Sequence, residues 1–367
     1  MKDISISAKM ITMLNFIEFF STNFKKQKSS WEFFRAVFFL IIFTCSLCGC
    51  SMKKESGTSF MMDTIVQIDI HGKDEHKNKA ALTETFAIMQ NIATCADRYN
   101  ESEISEINKN AGIRPVKASK DIFFIAQYVT SQDIAEVDIT LGPLIDLWNN
   151  CLSKKKLPTQ QQIENAHALT DEKKILLDNE KQTIYLENKG MSIDLGAIAK
   201  GYAVEKAGQY LAANENIVCA LINGGGNIKV IGEKPDKKPW RIGIQDPRNA
   251  SESIGILNLA AGDAIATSGD YHRYFELDGK RWHHILQPAT GWPGVYNISA
   301  TAICKNAMEA DYYSTMFFLL PAEEGIKFAE KTSSLDAIII DQKGNIHISS
   351  RLKEKFEKNE KSKWHYR

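Results

Sequence analysis

The sequence predicts an α+β protein: one unit of two interleaved lobes with a cleft between them. Strand-like and helix-like patterns alternate irregularly, and no βαβ series is long enough for a doubly wound sheet. No period of 20 to 50 residues recurs, which excludes a solenoid. With 367 residues, 44% of them apolar, the chain is able to bury one large core or two smaller ones. Lys and Arg number 45 and Asp and Glu 45. No basic surplus marks a nucleic-acid partner, since phosphate-backbone binders carry one.

The N-terminus stands apart from the fold. Lys25, Lys26, Lys28 and Arg35 precede a short apolar run, Ala36 to Thr44, followed by Leu47-Cys48-Gly49-Cys50. That order is a signal peptide's, and the run is shorter than the roughly 20 apolar residues of a membrane span. Leu47 and Gly49 before Cys50 are similar to a bacterial lipobox, so residues 1–49 read as a lipoprotein signal peptide and Cys50 as the acylated first residue of the mature chain. An uncleaved anchor helix is the alternative. The expected location is the bacterial cell envelope, on the extracytoplasmic, periplasmic side of a membrane. Cys95, Cys151, Cys219 and Cys304 remain, at spacings that match no zinc pattern. They read as buried thiols or a disulfide.

Residues 50–59 read as a polar tether, 60–350 as the catalytic domain and 351–367 as a charged tail. Phe60 to Ile70 alternates as a first strand. Lys79 to Ala96 places Leu82, Phe86, Met89 and Ile92 near one helical face. The polar turn Asp97 to Ser102 opens a short helix, and Ser119 to Ala135 reads as a further helix with Phe123, Phe124, Ala126 and Val129 inside. Gly142-Pro143 punctuates the chain before Trp148. A charged helical insertion, 154–172, breaks at Pro158, and Ile175 to Leu186 patterns as a hairpin. The last hairpin is Ala337 to Ile348, with its turn at Lys343-Gly344.

Four stretches carry candidate chemistry. Ser192 to Ala207 joins Asp194 and Lys200 with glycines and alanines that let a backbone approach a large anion; an ordinary helix capped by Asp194 fits equally. Asn223-Gly224-Gly225-Gly226 joins two apolar runs, either as a plain hairpin turn or as a cradle of N–H groups for phosphate. Thr267-Ser268-Gly269 precedes His283-His284, of which a strand turns at most one toward a site. Asp311 and Thr315 stand at i, i+4, so their oxygens share a helix face. A carboxylate, a hydroxyl and a backbone carbonyl suit Mg²⁺, which keeps part of its shell for phosphate. A Thr on a buried face with an Asp near the helix start is the plainer reading.

Asp194-Leu-Gly-Ala-Ile-Ala-Lys200-Gly, the glycines at 224–226, Thr267-Ser268-Gly269, His284-Ile285-x-x-Pro288-x-Thr290-Gly291 and Ala310-Asp311-x-x-Ser314-Thr315 occur in an order that resembles the FAD:protein FMN transferase (ApbE) family, over roughly residues 60 to 345. The resemblance implies a flavin in the cleft and Mg-dependent transfer of FMN from FAD to a threonine hydroxyl of an extracytoplasmic flavoprotein, with release of AMP. Membrane redox-pump subunits are implied targets, and a lipid anchor agrees with Cys50. By the same resemblance Met62, Tyr99, Glu136, Val137, Asp138, Asp194, Lys200, Gly224, Gly225 and Ile285 line the FAD site. Ala197, Asp311 and Thr315 bind Mg²⁺ beside Ser314, and His284, Lys200 and Asp311 are catalytic. Asp63 stands where the family usually has glycine, Gln287 where an Asp or Asn is usual, and Asn227 where an acid often follows the glycines. The stretch after Tyr99 is one residue short. An FAD pyrophosphatase giving FMN and AMP, and a non-catalytic flavin-binding lipoprotein, are the other readings.

The lipobox generates a direct test. Cys50→Ala is expected to release the protein from washed membranes while leaving its catalytic activity intact, because acylation supplies attachment alone. Retention of the variant on membranes makes the apolar run an uncleaved anchor.

Overall fold

The computed structural model describes residues 52–367, and the chain enters its main sheet at once. Strands β1 (Lys53–Met61) and β2 (Thr64–Gly72) form an antiparallel hairpin. Its two turn residues, Met62 and Asp63, have φ of 51° and 57°, as a type I′ turn demands. Glycine meets that demand freely and Asp tolerates it. Residues 53–59 are therefore strand, not tether. The single strand expected over Phe60 to Ile70 is broken by this turn, and residues 53–59 lack an apolar alternation because the inner face of β1 carries Glu55, Gly57 and Ser59, with Phe86 and Leu82 lying over Gly57.

Helices α1 (Glu75–Ala96) and α2 (Glu103–Lys109) follow, then β3 (Val116–Lys117), α3 (Lys120–Ser131), α4 (Gly142–Lys154), α5 (Gln160–His167) and the hairpin β4 (Ile175–Asp178) and β5 (Thr183–Leu186). Helix α6 (Ala199–Ala213) leads into β6 (Ile217–Gly224), β7 (Asn227–Ile231), β8 (Trp240–Asp246), β9 (Asn249–Leu259), β10 (Ala264–Gly269), β11 (Tyr274–Leu277) and β12 (Lys280–His283). The chain ends through β13 (Asn297–Cys304), α7 (Ala307–Leu319), α8 (Ala322–Lys331), β14 (Asp336–Asp341), β15 (Asn345–Ile348), β16 (Phe356–Lys358) and β17 (His365–Tyr366). The class is α+β, as expected.

Nine strands form the main sheet in the order β1-β2-β6-β7-β10-β13-β14-β15-β17, antiparallel except for β15 with β17. Next to the central strand β10, β13 is buried along its whole length because both faces are covered. Ala264, Ala266, Ala300 and Ala302 belong to the core beneath α1, α6 and α7, whereas Ile265 and Ile303 pack with Trp240, Leu257 and Phe356 of the β16-β9-β8 layer. Small residues on one face let helices settle close; large ones fill the other.

Local signals explain most boundaries. Asp74 caps α1 by accepting from the Lys77 N–H, and Ser102 with Ser105 forms a capping box on α2. Thr159 caps α5 just after the expected break at Pro158. Gly142-Pro143 proves to be the start of α4, with the proline in its first turn, where a missing N–H costs nothing. Phe124, expected inside, is half exposed against Tyr202.

The C-terminal segment is also folded. Phe356 and Trp364 are buried, the Trp364 Nε1–H donates to Asp246 Oδ2 at 2.9 Å, and β17 adds to the main sheet. The charges of 351–367 mask two aromatic anchors, so the reading as a tail is corrected. Cys95, Cys151, Cys219 and Cys304 are all free thiols. Cys50 lies outside the described residues.

One contact ties the helical layer together. A Cβ on Gly201 would lie 2.3 Å from the Ala307 carbonyl oxygen and 2.5 Å from Asp311 Cβ, so only glycine lets α6 meet the start of α7. Gly→Ala inside a helix ordinarily stabilises by about 1 kcal/mol. Here Gly201→Ala is expected to lower the melting temperature, since the backbone of α7 must retreat. A melting temperature equal to or above the parent's in a thermal scan contradicts this packing.

Candidate active site

A cavity of about 1060 Å³ opens where loops and strand ends from the whole chain converge. Its walls come from the first hairpin turn at Met62–Thr64, the loop Glu136–Asp138, the segment Asp194–Ala197 before α6, the turn Gly225-Gly226, the end of β10, His272-Arg273, His284–Leu286, and Asp311 and Thr315 of α7. That size exceeds what a drug-sized ligand needs, and suits a dinucleotide.

Asp311 is the charged centre of one wall. Its side chain is almost fully buried, with Oδ2 accepting the Gly201 N–H at 2.8 Å and Oδ1 3.8 Å from Lys200 Nζ. Gly201 is the third residue of α6, so its N–H is one of the open donors at the helix start, and Asp311 accepts it. Ala197, two residues before the helix, borders the cavity. Thr315 follows one turn later on α7, its hydroxyl 3.2 Å from Ser268 Oγ. Asp311, Thr315 and Ala197 thus offer a carboxylate, a hydroxyl and a carbonyl at one wall, a set of hard oxygen donors. Among the described residues no group of three or more His, Cys, Asp and Glu is placed to hold a metal. A cation here relies on the single carboxylate and neutral oxygens.

Ser314, expected beside the metal, faces away from the cavity. Its hydroxyl is fully buried, donating to the Asp311 carbonyl at 2.9 Å and bonded to Ser268 Oγ at 2.9 Å. Ser314 supports the wall and Thr315 faces the cavity, because adjacent helical residues point about 100° apart.

The histidine pair divides as expected, with His283 the last residue of β12 and His284 just past its end. His283 is buried and bonds the Gly294 carbonyl at 3.0 Å, whereas His284 faces the cavity. His284 Nδ1 lies 3.2 Å from the Arg273 carbonyl oxygen. A carbonyl only accepts, so Nδ1 carries the proton and Nε2 keeps its lone pair. Burial, with Arg273, His283 and Lys200 nearby, pushes the His284 pKa well below its ordinary value. The imidazole is neutral at pH 7. The segment is held by the turn Pro288–Gly291: the Trp148 Nε1–H donates to the Gly291 carbonyl at 2.8 Å, and Trp148 packs against Trp282 and Trp292.

Asp194 and Tyr99 share a neighbour that the sequence did not advertise. Arg98 makes a bidentate pair with Asp146 at 2.9 and 2.8 Å, lies 3.8 Å from Asp194, and sits under the Tyr99 ring with 5.1 Å to its centroid. Asp194 accepts the Gly196 N–H at 2.7 Å and is not the cap of α6, which begins five residues later. The Asp194 N–H donates to the Ile139 carbonyl at 2.8 Å, and beside it Asp138 accepts both the N–H and the hydroxyl of Thr140 at 2.6 Å, while burial raises its pKa. Behind it burial and the charges of Asp138, Asp133 and Asp171 hold the Glu172 carboxyl up to about 8.

The glycine stretch resolves as a hairpin turn whose tip reaches the cavity. Gly225 and Gly226 have φ of 64° and 94° and line it; a Cβ on Gly225 would strike Thr64 Oγ1 at 2.2 Å. Gly224, expected in the flavin site, is buried inside β6 against Val204. Met62, Tyr99, Glu136, Val137, Asp138, Asp194, Ala197, Lys200, Gly225, His284, Ile285, Asp311 and Thr315 all border this one cavity. Arg98, His272 and Arg273 join them unforeseen. Arg98 stands next to Tyr99 and Arg273 follows the quoted Thr-Ser-Gly stretch, but neither carries a spacing of its own.

Residues 62–339 match the model of the ApbE family. The chain is 35% identical over 255 residues to the FAD:protein FMN transferase of Klebsiella pneumoniae, covering 68% of this chain and 78% of that protein. It is 27% identical to the FAD:protein FMN transferase of Treponema pallidum over 82% of this chain and 90% of that one. Among solved structures, the ApbE protein of Thermotoga maritima superposes with a TM-score of 0.76 at 30% identity, covering 84% of this chain and all of that one. The apo flavinyl transferase ApbE of Pseudomonas stutzeri does so at 0.72 and 26% identity, over 83% and 97%. On these grounds, and on the cavity that gathers its motifs, the chain belongs to the ApbE family.

Proposed function

We propose that this protein is a Mg-dependent flavin transferase: it passes FMN from FAD to a threonine hydroxyl of an extracytoplasmic flavoprotein and releases AMP. The observation that carries the reading is the meeting of Asp311, Thr315, Ala197, Lys200 and His284 around one cavity large enough for a dinucleotide. The names of the relatives point the same way. The lipobox at Cys50 supports attachment to a membrane at the cell envelope, where such an acceptor resides.

Each residue has a task that the geometry suits. His284 Nε2, unprotonated and facing the cavity, accepts the proton of the threonine hydroxyl as its oxygen attacks the FMN phosphorus. A new phosphoester bond forms to that oxygen, the pyrophosphate bond breaks, and the departing phosphate leaves on AMP. Lys200 holds its ammonium at the same wall, where it neutralises pyrophosphate charge. Asp311 and Thr315, with the Ala197 carbonyl, would hold Mg²⁺, which when bound supplies further positive charge for the phosphate oxygens. Arg98 keeps Asp194 and Tyr99 in place through its bidentate grip on Asp146. Tyr99, 65% exposed, offers a ring face for a planar group at the mouth.

The direct experiment incubates the protein with FAD, Mg²⁺ and a threonine-bearing acceptor flavoprotein, and views a denaturing gel for flavin fluorescence. Covalent fluorescence with AMP release is expected. AMP and free FMN without labelling indicate the pyrophosphatase, and neither product indicates a flavin-binding lipoprotein.

Two variant sets separate the roles. Asp311→Ala is expected to lower transfer on the order of 10² to 10³-fold, as loss of a preorganised charge does, and to resist rescue by excess Mg²⁺ or Mn²⁺. Thr315→Val loses less and is partly rescued, because water replaces a neutral ligand. Normal turnover by Asp311→Ala without added metal ends the magnesium mechanism.

The histidine sets a pH limit. With its pKa lowered, His284 stays an unprotonated base until the pH falls well below 6.5. The acid limb of kcat/KM should therefore lie below 6.5, and His284→Ala should remove that limb along with about 10² to 10⁴-fold in rate. An unchanged limb in the variant assigns the proton transfer elsewhere.

A further inference from the structure

We propose that the free edge of β1 is the docking strand for the acceptor protein: an extended, uncharged segment of the acceptor pairs with Lys54 to Phe60 and so brings its hydroxyl residue to the cavity mouth. The inference rests on the flavin-transfer reading, which requires a second protein at this site.

The edge is open. β1 ends the nine-stranded sheet and, among the described residues, pairs with β2 alone. The register says which of its backbone groups are free. In a two-residue hairpin the closing pair, here Met61 with Thr64, exchanges hydrogen bonds, and bonded pairs then alternate along the strand. Met61, Ser59, Gly57 and Glu55 therefore bond β2, whereas the N–H and C=O groups of Phe60, Thr58, Ser56 and Lys54 point outward. The side chains of these last four are also exposed, on the face away from α1. Nine residues without proline or bulge form a template that folded proteins usually blunt. The opposite edge of the sheet, β17, is only two residues long.

The edge also leads to the site. Phe60 is 71% exposed, its cross-strand partner Ile65 is 61% exposed, and together they form an apolar step at the end of the strand. Phe60, Met62, Asp63 and Thr64 border the cavity. A strand added along β1 is thus directed past the Phe60–Ile65 step onto the hairpin tip, where the cavity opens. Main-chain pairing provides affinity with little demand on sequence, and the apolar step selects one apolar side chain. On the outer face the one charge of the segment, Lys54 at its far end, is paired with Asp69 at 3.4 Å, and Ser56, Thr58 and Phe60 are neutral, so the stretch nearest the cavity favours an uncharged partner.

The test measures the KM for an acceptor flavoprotein with the purified protein. Thr58→Pro removes one outward N–H without touching a bond to β2. The KM for acceptor is expected to rise about tenfold, as loss of one or two main-chain bonds implies, with kcat and FAD binding by fluorescence changed less than about twofold. Ile65→Ser should act in the same direction. Independently of any variant, acceptor added without FAD should slow amide exchange at Ser56, Thr58 and Phe60. An unchanged KM together with unprotected amides overturns the proposal, as does loss of FAD binding in Thr58→Pro. A dimer that Thr58→Pro dissociates, with acceptor KM unchanged, gives the edge to a second copy of this chain and also overturns it. If the parent labels no acceptor yet its β1 amides are protected by one, the flavin-transfer reading falls and the docking strand stands.

Discussion

The contact between Gly201 and Asp311 governs the architecture of the site. A helix–helix crossing this close needs a residue without a side chain, and Gly201 supplies it at the point where α6 meets α7. The same residue gives its N–H to Asp311 Oδ2, which compensates a buried carboxylate for part of its lost hydration. One glycine therefore sets the helix spacing and steadies the charge.

Charge at the cavity is arranged asymmetrically. Asp311 and Lys200 stand together at one wall, 3.8 Å apart, near enough to share phosphate and cation between them. Arg98 turns its guanidinium toward Asp146 and Asp194 at another, a grip that depends on the planar bidentate geometry of arginine. Burial, and then the charges of Arg273 and Lys200, holds the pKa of the two imidazoles at the cavity, His272 and His284, below the ordinary value. A field of that sign favours a polyanion and disfavours an imidazolium.

Support for these groups comes from parts of the chain with no chemistry of their own. Trp148, Trp282 and Trp292 hold the turn after His284, Ser268 links Ser314 and Thr315, and Thr64 meets the glycine turn edge to edge. The C-terminal aromatics close the far face of the sheet. Rigid strands behind loop-borne groups are the usual way a scaffold fixes a site.

Features with a local period or cap were legible in the sequence: the helix that aligns Asp311 with Thr315, the opposite facing of His283 and His284, the hairpins at 175–186 and 337–348, and the motif order of the family. Each depends on residues a few positions apart, and the physics that decides them is written in that spacing. What only the tertiary structure decided depends on partners distant in the chain. Lys53 to Ser59 became a strand because β2 and α1 covered it, residues 351–367 joined the fold because Trp364 found Asp246, and Ser314 turned inward because Ser268 was there to receive it. Gly201 looked like room for a ligand and proved to be room for a helix, since a small residue records that something comes close and not what it is.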